Sequence, residues 1–313
     1  MKLKEKELKL TELTNQLESL CNEDNPNQEV INKLRDEIKD YKEKCYSDLS
    51  SYDHVYLARK QTRPNVGAYI DNLIDEFIEL HGDRYYKDDG AIVGGIGYFE
   101  ERPVTVIGHC KGKNVEENLK CNFGMASPEG FRKAYRLMKQ AEKFNRPIIT
   151  FIDTPGAYPG LESEENGIGE AIASNLMMMS DLKVPIIVFV IGEGGSGGAL
   201  AISIGDRIVM LENSVYSVLS PEGFSSILWK DKEGKRVEEA ASLMKMTSKD
   251  LLEDSIIDAI IKEPLGGIEY DEEYVYKQIR KYLRSELNSL TKLSKETLIE
   301  KRYNKYRCIS NQI

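Results

Sequence analysis

Two apolar runs that lead into glycine-rich segments constrain the fold of this chain more than any other feature. Residues Ile148–Gly160 read IITFIDTPGAYPG, and residues Ile187–Ala201 read IVFVIGEGGSGGALA. A short apolar, β-branched run bounded by turn signals predicts a strand that is buried on both faces. The glycines leave backbone N–H groups open to a ligand, because no Cβ shields them. A helix predicted at Gly198–Ile204 would add unpaired N–H donors and a positive dipole end, so the sequence predicts an anion-binding site here.

The order of the other predicted elements is typical of an α/β fold with crossover helices. Residues 66–82 are predicted to form a helix, and the polar residues 111–126 are predicted to be irregular. Further helices are predicted at Ser127–Phe144 and Gly169–Met179. Strands are predicted at Ala91–Tyr98 and Pro103–Ile107, which would form a hairpin, and at Pro147–Asp153, Val184–Ile191, Arg207–Leu211 and Val215–Leu219.

Both ends of the chain are charged and predicted to be helical, the C-terminal part from Lys235 to Arg307. We expect an N-terminal helical hairpin at residues 1–60, a core at 61–265 and a C-terminal helical extension at 266–313. The hairpin is interpreted either as a structural cap or as a dimerisation arm. The first predicted helix of the hairpin has an apolar seam at Leu10, Leu13, Leu17 and Leu20. Asn25–Pro26 ends that helix. A second helix follows, with an apolar face at Val30, Ile31, Leu34 and Ile38.

The pentapeptide SPEGF occurs twice, at Ser127–Phe131 and at Ser220–Phe224. A serine N-cap followed by proline at the first helical position predicts that each copy opens a helix. Two interpretations stay open. The copies could be the trace of a repeated ββα unit, or a short capping sequence that recurs by chance.

Composition excludes several classes of function. The formal net charge of −9 argues against nucleic acid as the main partner. No apolar run approaches the ~20 residues of a membrane span, and the charged N-terminus has no apolar signal core. The five cysteines form no CxxC pair, so neither a zinc site nor a disulfide framework is predicted on this chain, and a cytoplasmic location is expected. There is no phosphate loop of the G-x-x-x-x-G-K-[ST] type, so chemistry that needs ATP would reside on another chain.

Three short motifs offer alternative functions. Gly194–Gly198 matches the G-x-S-x-G nucleophile elbow, but His54, His81 and His109 all precede Ser196, whereas hydrolases of that type place the histidine after the serine. We therefore interpret the histidines as structural. The residues Met244, Lys245 and Met246 match the biotin attachment sequence, but the surrounding helical propensity predicts that Lys245 is an ordinary helix lysine.

The third motif, Gly192-x-Gly194-x-x-Gly197, matches the dinucleotide fingerprint, with Glu212 near the distance expected for a ribose contact. The predicted helix after it is too short for a crossover helix. A Rossmann-type NAD-binding oxidoreductase is kept as an alternative. Otherwise the sequence leaves a glycine-lined anion site with no obvious acid, base, metal or nucleophile. That combination suits reactions that need only a stabilised oxyanion and two aligned substrates, such as those through thioester enolates.

Seven long stretches of the chain are distinctive: DEFIELHGDR, AIVGGIG, NFGM-x-x-PEG-x-RKA-x-RLM, PIITFIDTPGAYPG, VIGEGGSGGALA, YSVLSPEG-x-x-SILW and IIKEPLGG. With them the sequence resembles the carboxyltransferase alpha subunits of bacterial, multi-subunit acetyl-CoA carboxylase. The likeness spans nearly the whole chain, and the departures from the family lie in the hairpin and the C-terminal tail.

The resemblance implies a fold of the ClpP/crotonase superfamily, with a repeated ββα core, an N-terminal helical hairpin and C-terminal helices. It implies a beta-subunit partner that carries a zinc ribbon and binds acetyl-CoA, in an α2β2 heterotetramer whose active site lies between the subunits. This chain would bind carboxybiotin, delivered by a biotin carboxyl carrier protein that a biotin carboxylase loads. It would hold no metal and no covalent cofactor. The product would be malonyl-CoA for fatty acid biosynthesis.

The family's oxyanion hole maps onto the backbone N–H groups of Gly197 and Gly198, which would stabilise charge on the ureido oxygen of biotin. One such donor is worth roughly 3–4 kcal/mol in comparable sites. In the family mechanism the ureido anion itself takes the acetyl proton, which would explain why no histidine is expected near the glycines. A non-catalytic crotonase-like scaffold is the second alternative. The resemblance implies substrate-binding roles for Gly156, Ala157, Tyr158, Gly194, Gly195, Ser196 and Ala199.

Overall fold

An eight-stranded mixed sheet with helices on both faces organises the part of the chain that the computed structural model describes, residues 3–23 and 26–309. The strands are β1 Asp75–Glu79, β2 Ile92–Phe99, β3 Arg102–His109, β4 Ile148–Thr154, β5 Ile186–Gly195, β6 Arg207–Leu211, β7 Val215–Ser217 and β8 Ala259–Ile261. The α-helices are α1 Leu3–Cys21, α2 Gln28–Tyr46, α3 Ser51–Ala58, α4 Val66–Leu73, α5 Val115–Lys120, α6 Pro128–Lys143, α7 Leu161–Glu165, α8 Ile168–Asp181, α9 Ser196–Leu200, α10 Pro221–Trp229, α11 Val237–Leu243, α12 Ser248–Glu253, α13 Glu272–Leu290 and α14 Lys295–Ile309.

The sheet places β4 and β5 side by side at its centre. The strand order is β1-β2-β3-β4-β5-β6-β8, and β7 pairs with the end of β5. Strands β1 to β3 are antiparallel, whereas β3 to β6 and β8 run parallel. Every residue of β4 and β5 is buried, which confirms the prediction of strands covered on both faces. Because the two strands are parallel neighbours, their glycine-rich continuations emerge at the same edge.

Two hydrophobic clusters cover the two faces of this sheet. On one face α6 and α8 pack through Phe131, Leu137 and Met179, which are fully buried. On the other face α4 and α13 pack through Tyr69 and Tyr276. The ring of Tyr69 lies 5.4 Å from that of Phe151 on β4, and Phe151 stacks at 5.7 Å on Phe189 of β5. Burying such aromatic side chains contributes about 1.5–3 kcal/mol each, so the two central strands are held firmly from both sides.

Several predicted boundaries are wrong, for reasons of long-range pairing. The helix predicted at residues 66–82 ends at Leu73, because β1 pairs with the edge of β2. Strand β5 continues through its glycines to Gly195, because β7 supplies a neighbour for Glu193–Gly195. The helix expected at Gly198–Ile204 is shorter and begins earlier, at Ser196. The stretch 111–126, predicted to be irregular, contains α5, and the C-terminal part predicted to be all helix contains β8.

The N-terminal helices α1 and α2 form the predicted hairpin and pack on their own chain. Leu10 and Leu13 are buried, whereas Leu17 and Leu20 are half-buried. Glu7 accepts hydrogen bonds from Tyr46 and Tyr56, which ties α1 to α2 and α3. This docking is what the structural-cap interpretation expects. Of the predicted break, Asn25 lies outside the described residues.

In the described part of the chain, no helix combines the length and the apolar character that a bilayer span requires.

Candidate functional site

The two glycine-rich segments meet in direct backbone contact at the carboxyl edge of the sheet. A Cβ atom added to Gly198 would lie 2.4 Å from the carbonyl carbon of Gly156 and 2.5 Å from the nitrogen of Ala157. A Cβ atom on Gly195 would lie 2.1 Å from the carbonyl oxygen of Pro155. Real Cβ atoms do not approach backbone so closely, so both positions require glycine. The contact fixes the spacing between the two segments.

Backbone N–H groups are presented where β5 turns into α9. Ser196 has a φ of +53°, which is rare for a non-glycine residue and marks a strained, functional turn. The N–H groups at the start of a helix have no carbonyl partner within it. Because α9 has only five residues, the predicted preference for negative charge would rest on these donors and not on a helix dipole.

Hydrogen bonds also hold the opposing segment after β4. The Thr154 hydroxyl accepts from the N–H of Gly156 at 3.1 Å and donates to the Gly156 carbonyl at 2.7 Å. The N–H of Tyr158 donates to the carbonyl of Ala126 at 2.9 Å. The segment that faces Gly198 is therefore fixed before any ligand arrives.

The predicted site residues do not all face the same space. Ser196 and Gly197 open onto a cavity of about 630 Å³. Gly194, Gly195 and Ala199 are buried and serve backbone packing. The Tyr158 ring lines a separate cavity of about 290 Å³ beside α6, so the prediction that it shares the Gly197 pocket is wrong. The other residues around the larger cavity are mostly apolar: Leu200, Tyr216, Ser217, Val218, Leu219, Phe224, Ile227, Leu228, Met244, Lys245, Leu251 and Ile256.

Charged residues that the sequence analysis did not select lie directly beneath the two glycine segments. Asp153 ends the IITFID run and Glu193 follows VIG, and both are buried. Lys111 Nζ lies 2.6 Å from Asp153 Oδ1, and Arg59 Nη2 lies 2.7 Å from Glu193 Oε1. A carboxylate inside a run of buried strand residues needs a charged partner, because burying it alone is costly. A carboxylate within a buried apolar run was therefore the sequence signal for Asp153 and Glu193, although it does not identify their partners.

One histidine lies closer to the site than expected. His109 ends β3 and is fully buried near the backbone of Gly198 and Phe151, and neither ring nitrogen has a hydrogen-bond partner among the described residues. The expectation that no histidine lies near the glycines is therefore wrong. Burial is the main cause that lowers the pKa of His109 to about 4, and the cation of Lys111 adds to it, while Asp153 opposes it. The ring is neutral at pH 7 and has no route to a substrate, so the structural interpretation fits it.

The structure argues against the two enzymatic alternatives. Among the hydrogen bonds of the described residues, none joins Ser196 to a histidine, as a nucleophile elbow would need. The glycines of the dinucleotide fingerprint lie within β5, and the helix after them is too short for a Rossmann unit. Glu212, the expected ribose ligand, pairs instead with Lys262 at 2.6 Å.

Lys245 is not an ordinary helix lysine. It follows the end of α11 with a φ of +47° and lines the larger cavity, so the prediction of a helical position is wrong. The buried Met246 then packs beside α3 and β7, and its carbonyl accepts from the N–H of Tyr216, which bends the chain out of the helix.

Comparisons with known proteins agree with this geometry. The model of a family described as acetyl co-enzyme A carboxylase carboxyltransferase-like matches residues 3–310. The acetyl-coenzyme A carboxylase carboxyl transferase subunit alpha of Alkaliphilus oremlandii is 56% identical over 279 residues, which are 89% of this chain and 88% of that protein.

Two solved carboxylase structures share the fold at low sequence identity. Transcarboxylase 12S superposes with a TM-score of 0.58 at 19% identity over 76% of this chain, and the beta subunit of P. aeruginosa geranyl-CoA carboxylase with a TM-score of 0.58 at 17% identity over 82%. This chain spans 45% of each of those longer chains. Both are carboxyltransferases of the crotonase fold, and at this identity they support the fold alone. With its paired glycine segments and this match along nearly its whole length, the chain belongs to the family of acetyl-CoA carboxylase carboxyltransferase alpha subunits.

Proposed function

We propose that this chain, together with a beta subunit, transfers the carboxyl group of carboxybiotin to acetyl-CoA and so forms malonyl-CoA for fatty acid biosynthesis. The observation that carries the proposal is the contact of Gly198 with Gly156 and Ala157, which fixes the backbone of the buried Gly198 directly beside Gly197 at the wall of a cavity. A volume of about 630 Å³ lies within the ~300–1,000 Å³ range of small-molecule sites.

The chemistry assigned to this chain is electrostatic. Carboxybiotin supplies the carboxyl group. The N–H groups of Gly197 and Gly198 donate to the ureido oxygen, where negative charge collects as that group departs, and a preorganised donor of this kind is worth about 3–4 kcal/mol. The apolar wall of the cavity excludes water and strengthens these hydrogen bonds. His109 is enclosed and Ser196 has no base, so neither takes part as an acid or a nucleophile.

An exposed apolar surface beside the cavity supports the need for a partner. Val218 is 81% exposed, Ile227 is 64% exposed and Leu228 is 61% exposed, and all three line the cavity rim. Contiguous exposed apolar side chains mark interaction sites. We assign this surface to the beta subunit, which would bring acetyl-CoA and its own zinc ribbon to complete an α2β2 enzyme. A biotin carboxyl carrier protein, loaded by biotin carboxylase, would deliver the biotin in the cytoplasm.

The direct test measures carboxyl transfer between malonyl-CoA and a biotin derivative, with this chain alone and with a beta subunit. We expect turnover only with both subunits, because the acyl-CoA side of the site is assigned to the partner. Turnover by this chain alone would contradict the two-subunit site. A complex that assembles without transferring carboxyl groups would favour the non-catalytic scaffold.

A Gly198→Val variant tests the oxyanion hole. The valine side chain would collide with Gly156 and Ala157 and displace the N–H groups, so transfer should fall by at least ~10²–10³-fold. Gly169→Val is the matched control, because a Cβ at Gly169 meets no atom within 4 Å. Circular dichroism and assembly with the beta subunit are measured in both variants. A folded, assembled Gly198→Val enzyme with nearly normal transfer would place the oxyanion hole elsewhere.

Ser196→Ala tests the alternative hypothesis that Ser196 is the nucleophile of a hydrolase-type elbow. Alanine can adopt the same backbone angles at similar cost, so most of the activity should remain. A loss of more than ~100-fold in an intact fold would instead assign Ser196 a chemical role.

A further inference from the structure

Four side chains of alternating charge connect the ends of β4 and β5, next to the two glycine segments. Lys111 Nζ contacts Asp153 Oδ1 at 2.6 Å and approaches Glu193 Oε2 at 4.0 Å. Arg59 donates to Glu193 Oε1 from Nε at 2.9 Å and from Nη2 at 2.7 Å. Arg59 also donates from Nη1 to Glu222 at 2.9 Å. Arg59, Lys111, Asp153 and Glu193 are called the charge network below.

The two carboxylates of the charge network sit on the two central strands, just before the segments that form the site. Asp153 lies three residues before Gly156, and Glu193 lies five residues before Gly198. The N–H of Glu193 donates to Asp153 Oδ1 at 3.0 Å, which joins the two strand ends directly. Both residues are buried, so their mutual repulsion is strong unless cations offset it. Lys111 and Arg59 supply those cations.

We propose that Arg59 and Lys111 are positioning residues for carboxyl transfer. They hold the ends of β4 and β5 at the spacing that fixes the Gly197–Gly198 backbone beside the cavity. This inference rests on the proposed function, but it concerns residues that do not line the cavity at Gly197.

Sterics make the glycine segments sensitive to this spacing. Gly195 and Gly198 already touch the opposing backbone with no room for a methyl group, so a shift of either strand end moves the N–H donors with it. A displacement of about 1 Å in a catalytic group costs roughly 10²-fold in rate. Removing Arg59 leaves the buried carboxylate of Glu193 without its nearest cation, which is the kind of change that produces such a shift.

Arg59 gives the charge network a link to more distant parts of the chain. It is the C-cap residue of α3, so the N-terminal helices help to set the geometry of the site. Its bond to Glu222 reaches the second SPEGF segment, which borders the cavity through Phe224. The planar guanidinium bridges the two carboxylates, a geometry that a lysine ammonium cannot reproduce.

The test compares Arg59→Met, Arg59→Lys and Arg207→Met in the complex with the beta subunit. Arg207 is a matched control, because it pairs with Glu286 at 2.7 Å and its side chain is 33% exposed, against 32% for Arg59. Arg207 begins β6, at the opposite edge of the sheet from the site. For each variant kcat and KM are measured, together with the thermal midpoint and the hydrogen exchange of the amides at residues 194–199.

We expect Arg59→Met to lower kcat at least about tenfold with little change in KM, since the donors act mainly on the transition state. Exchange of the amides at 194–199 should quicken in the same variant. Arg59→Lys should recover part of kcat, because it keeps the charge but not the planar fork. Arg207→Met should change neither kcat nor the exchange of these amides, even if it lowers the thermal midpoint as much as Arg59→Met does.

Normal kcat and normal exchange in Arg59→Met would overturn the inference, and so would an equal loss of kcat in Arg207→Met. If Arg59→Met does not fold, a folded Arg59→Lys that is indistinguishable from wild type in both readouts overturns it as well. A wild-type complex without transfer would refute the proposed function, whereas the exchange measurement would still decide whether Arg59 positions the glycine segment.

Discussion

The two SPEGF segments have the same five residues and open helices of very different character. The first copy opens α6, which has sixteen residues, and its Phe131 is fully buried. The second copy opens α10, which has nine residues and ends at Lys230 with a φ of +54°. Phe224 of the second copy is only half-buried and lines the cavity at the site. One copy therefore belongs to the core and the other to the rim of the site.

The serines and glutamates of the two copies differ in the same way. The Ser220 hydroxyl accepts from the N–H of Gly223 at 3.0 Å, as an N-cap does. The Ser127 hydroxyl instead donates to Asp89 Oδ2 at 2.9 Å and caps nothing. Glu129 is buried beside Arg132, whereas Glu222 is partly exposed and pairs with Arg59 from α3. An identical local sequence thus starts a helix in both places, and its surroundings decide everything else.

The largest expected difference between the copies concerns the phenylalanines. Phe131→Ala should lower the free energy of unfolding by about 3–5 kcal/mol, because it opens a cavity in a fully buried cluster. Phe224→Ala should cost much less stability, since the ring is partly solvated, but it should weaken carboxyl transfer by altering the wall of the cavity. Urea unfolding and the transfer assay measure the two effects. Equal destabilisation by both variants would contradict the distinction.

The next largest difference between the copies is expected when each serine is replaced by aspartate. Ser220→Asp should be nearly neutral, because aspartate is as good an N-cap as serine. Ser127→Asp should destabilise the fold by about 3 kcal/mol, because it places a second carboxylate within hydrogen-bond distance of the buried Asp89. The matched Asn variants remove the charge and should restore most of the loss at position 127. A tolerated Ser127→Asp would mean that the loop around Asp89 can rearrange freely.

The glycines should show a smaller effect. A Cβ at Gly130 would lie 2.5 Å from Asp89 Oδ2 and 3.0 Å from Ile92, so Gly130→Ala should cost about 1–3 kcal/mol through overpacking. A Cβ at Gly223 meets mainly the tip of the Leu219 side chain, which can move. Gly223→Ala should therefore be neutral or gain up to about 1 kcal/mol from helix propensity. Thermal unfolding of the two variants in parallel checks the opposite signs.

The smallest effect is a pH dependence that arises from an ion pair found only beside the first copy. Its helix carries the buried Lys133, which contacts Asp88 at 2.6 Å. Partial burial alone would raise the pKa of Asp88, but Lys133 and the N–H of Gly82 outweigh it and lower this pKa to about 2. The resulting stabilisation is present above about pH 4 and is lost as the pH falls toward 2.

Because Asp88 is 40% exposed, solvent screening should limit this contribution to about 0.5–1 kcal/mol between pH 5 and 3. In Asp88→Asn, the free energy of unfolding measured in urea should therefore fall by that amount less than in the wild type between pH 5 and 3. The second copy has Ser226 at the position equivalent to Lys133, so it has no counterpart of this ion pair, although Arg59 lowers the pKa of its Glu222 against the effect of burial. If Asp88→Asn has the same pH profile as the wild type, the Asp88–Lys133 ion pair does not contribute to the loss of stability in acid.

Strong local signals in the sequence were enough to predict the central strands and the starts of the helices. The runs around Phe151 and Phe189 contain too many β-branched and aromatic residues to be exposed, and both are buried strands. Serine followed by proline predicted the start of α6 and of α10. Only glycine fits at position 198, whereas a Cβ at Gly197 would meet no atom closer than 3.6 Å, and the donor role of the two N–H groups stays a prediction.

What the sequence could not determine depends on partners distant in the chain. It did not reveal that β7 pairs with the end of β5, which keeps Gly194 and Gly195 inside the sheet. Nor did it reveal that Arg59 reaches Glu193 across 134 positions, or that the ring of His109 ends up beneath Gly198. Local propensity and periodicity are set by neighbouring residues, so they determine which segments become strands and helices. Which charges meet, and which of two identical pentapeptides borders the site, was decided only when tertiary packing brought distant segments together, because those contacts depend on position in space and not on local sequence.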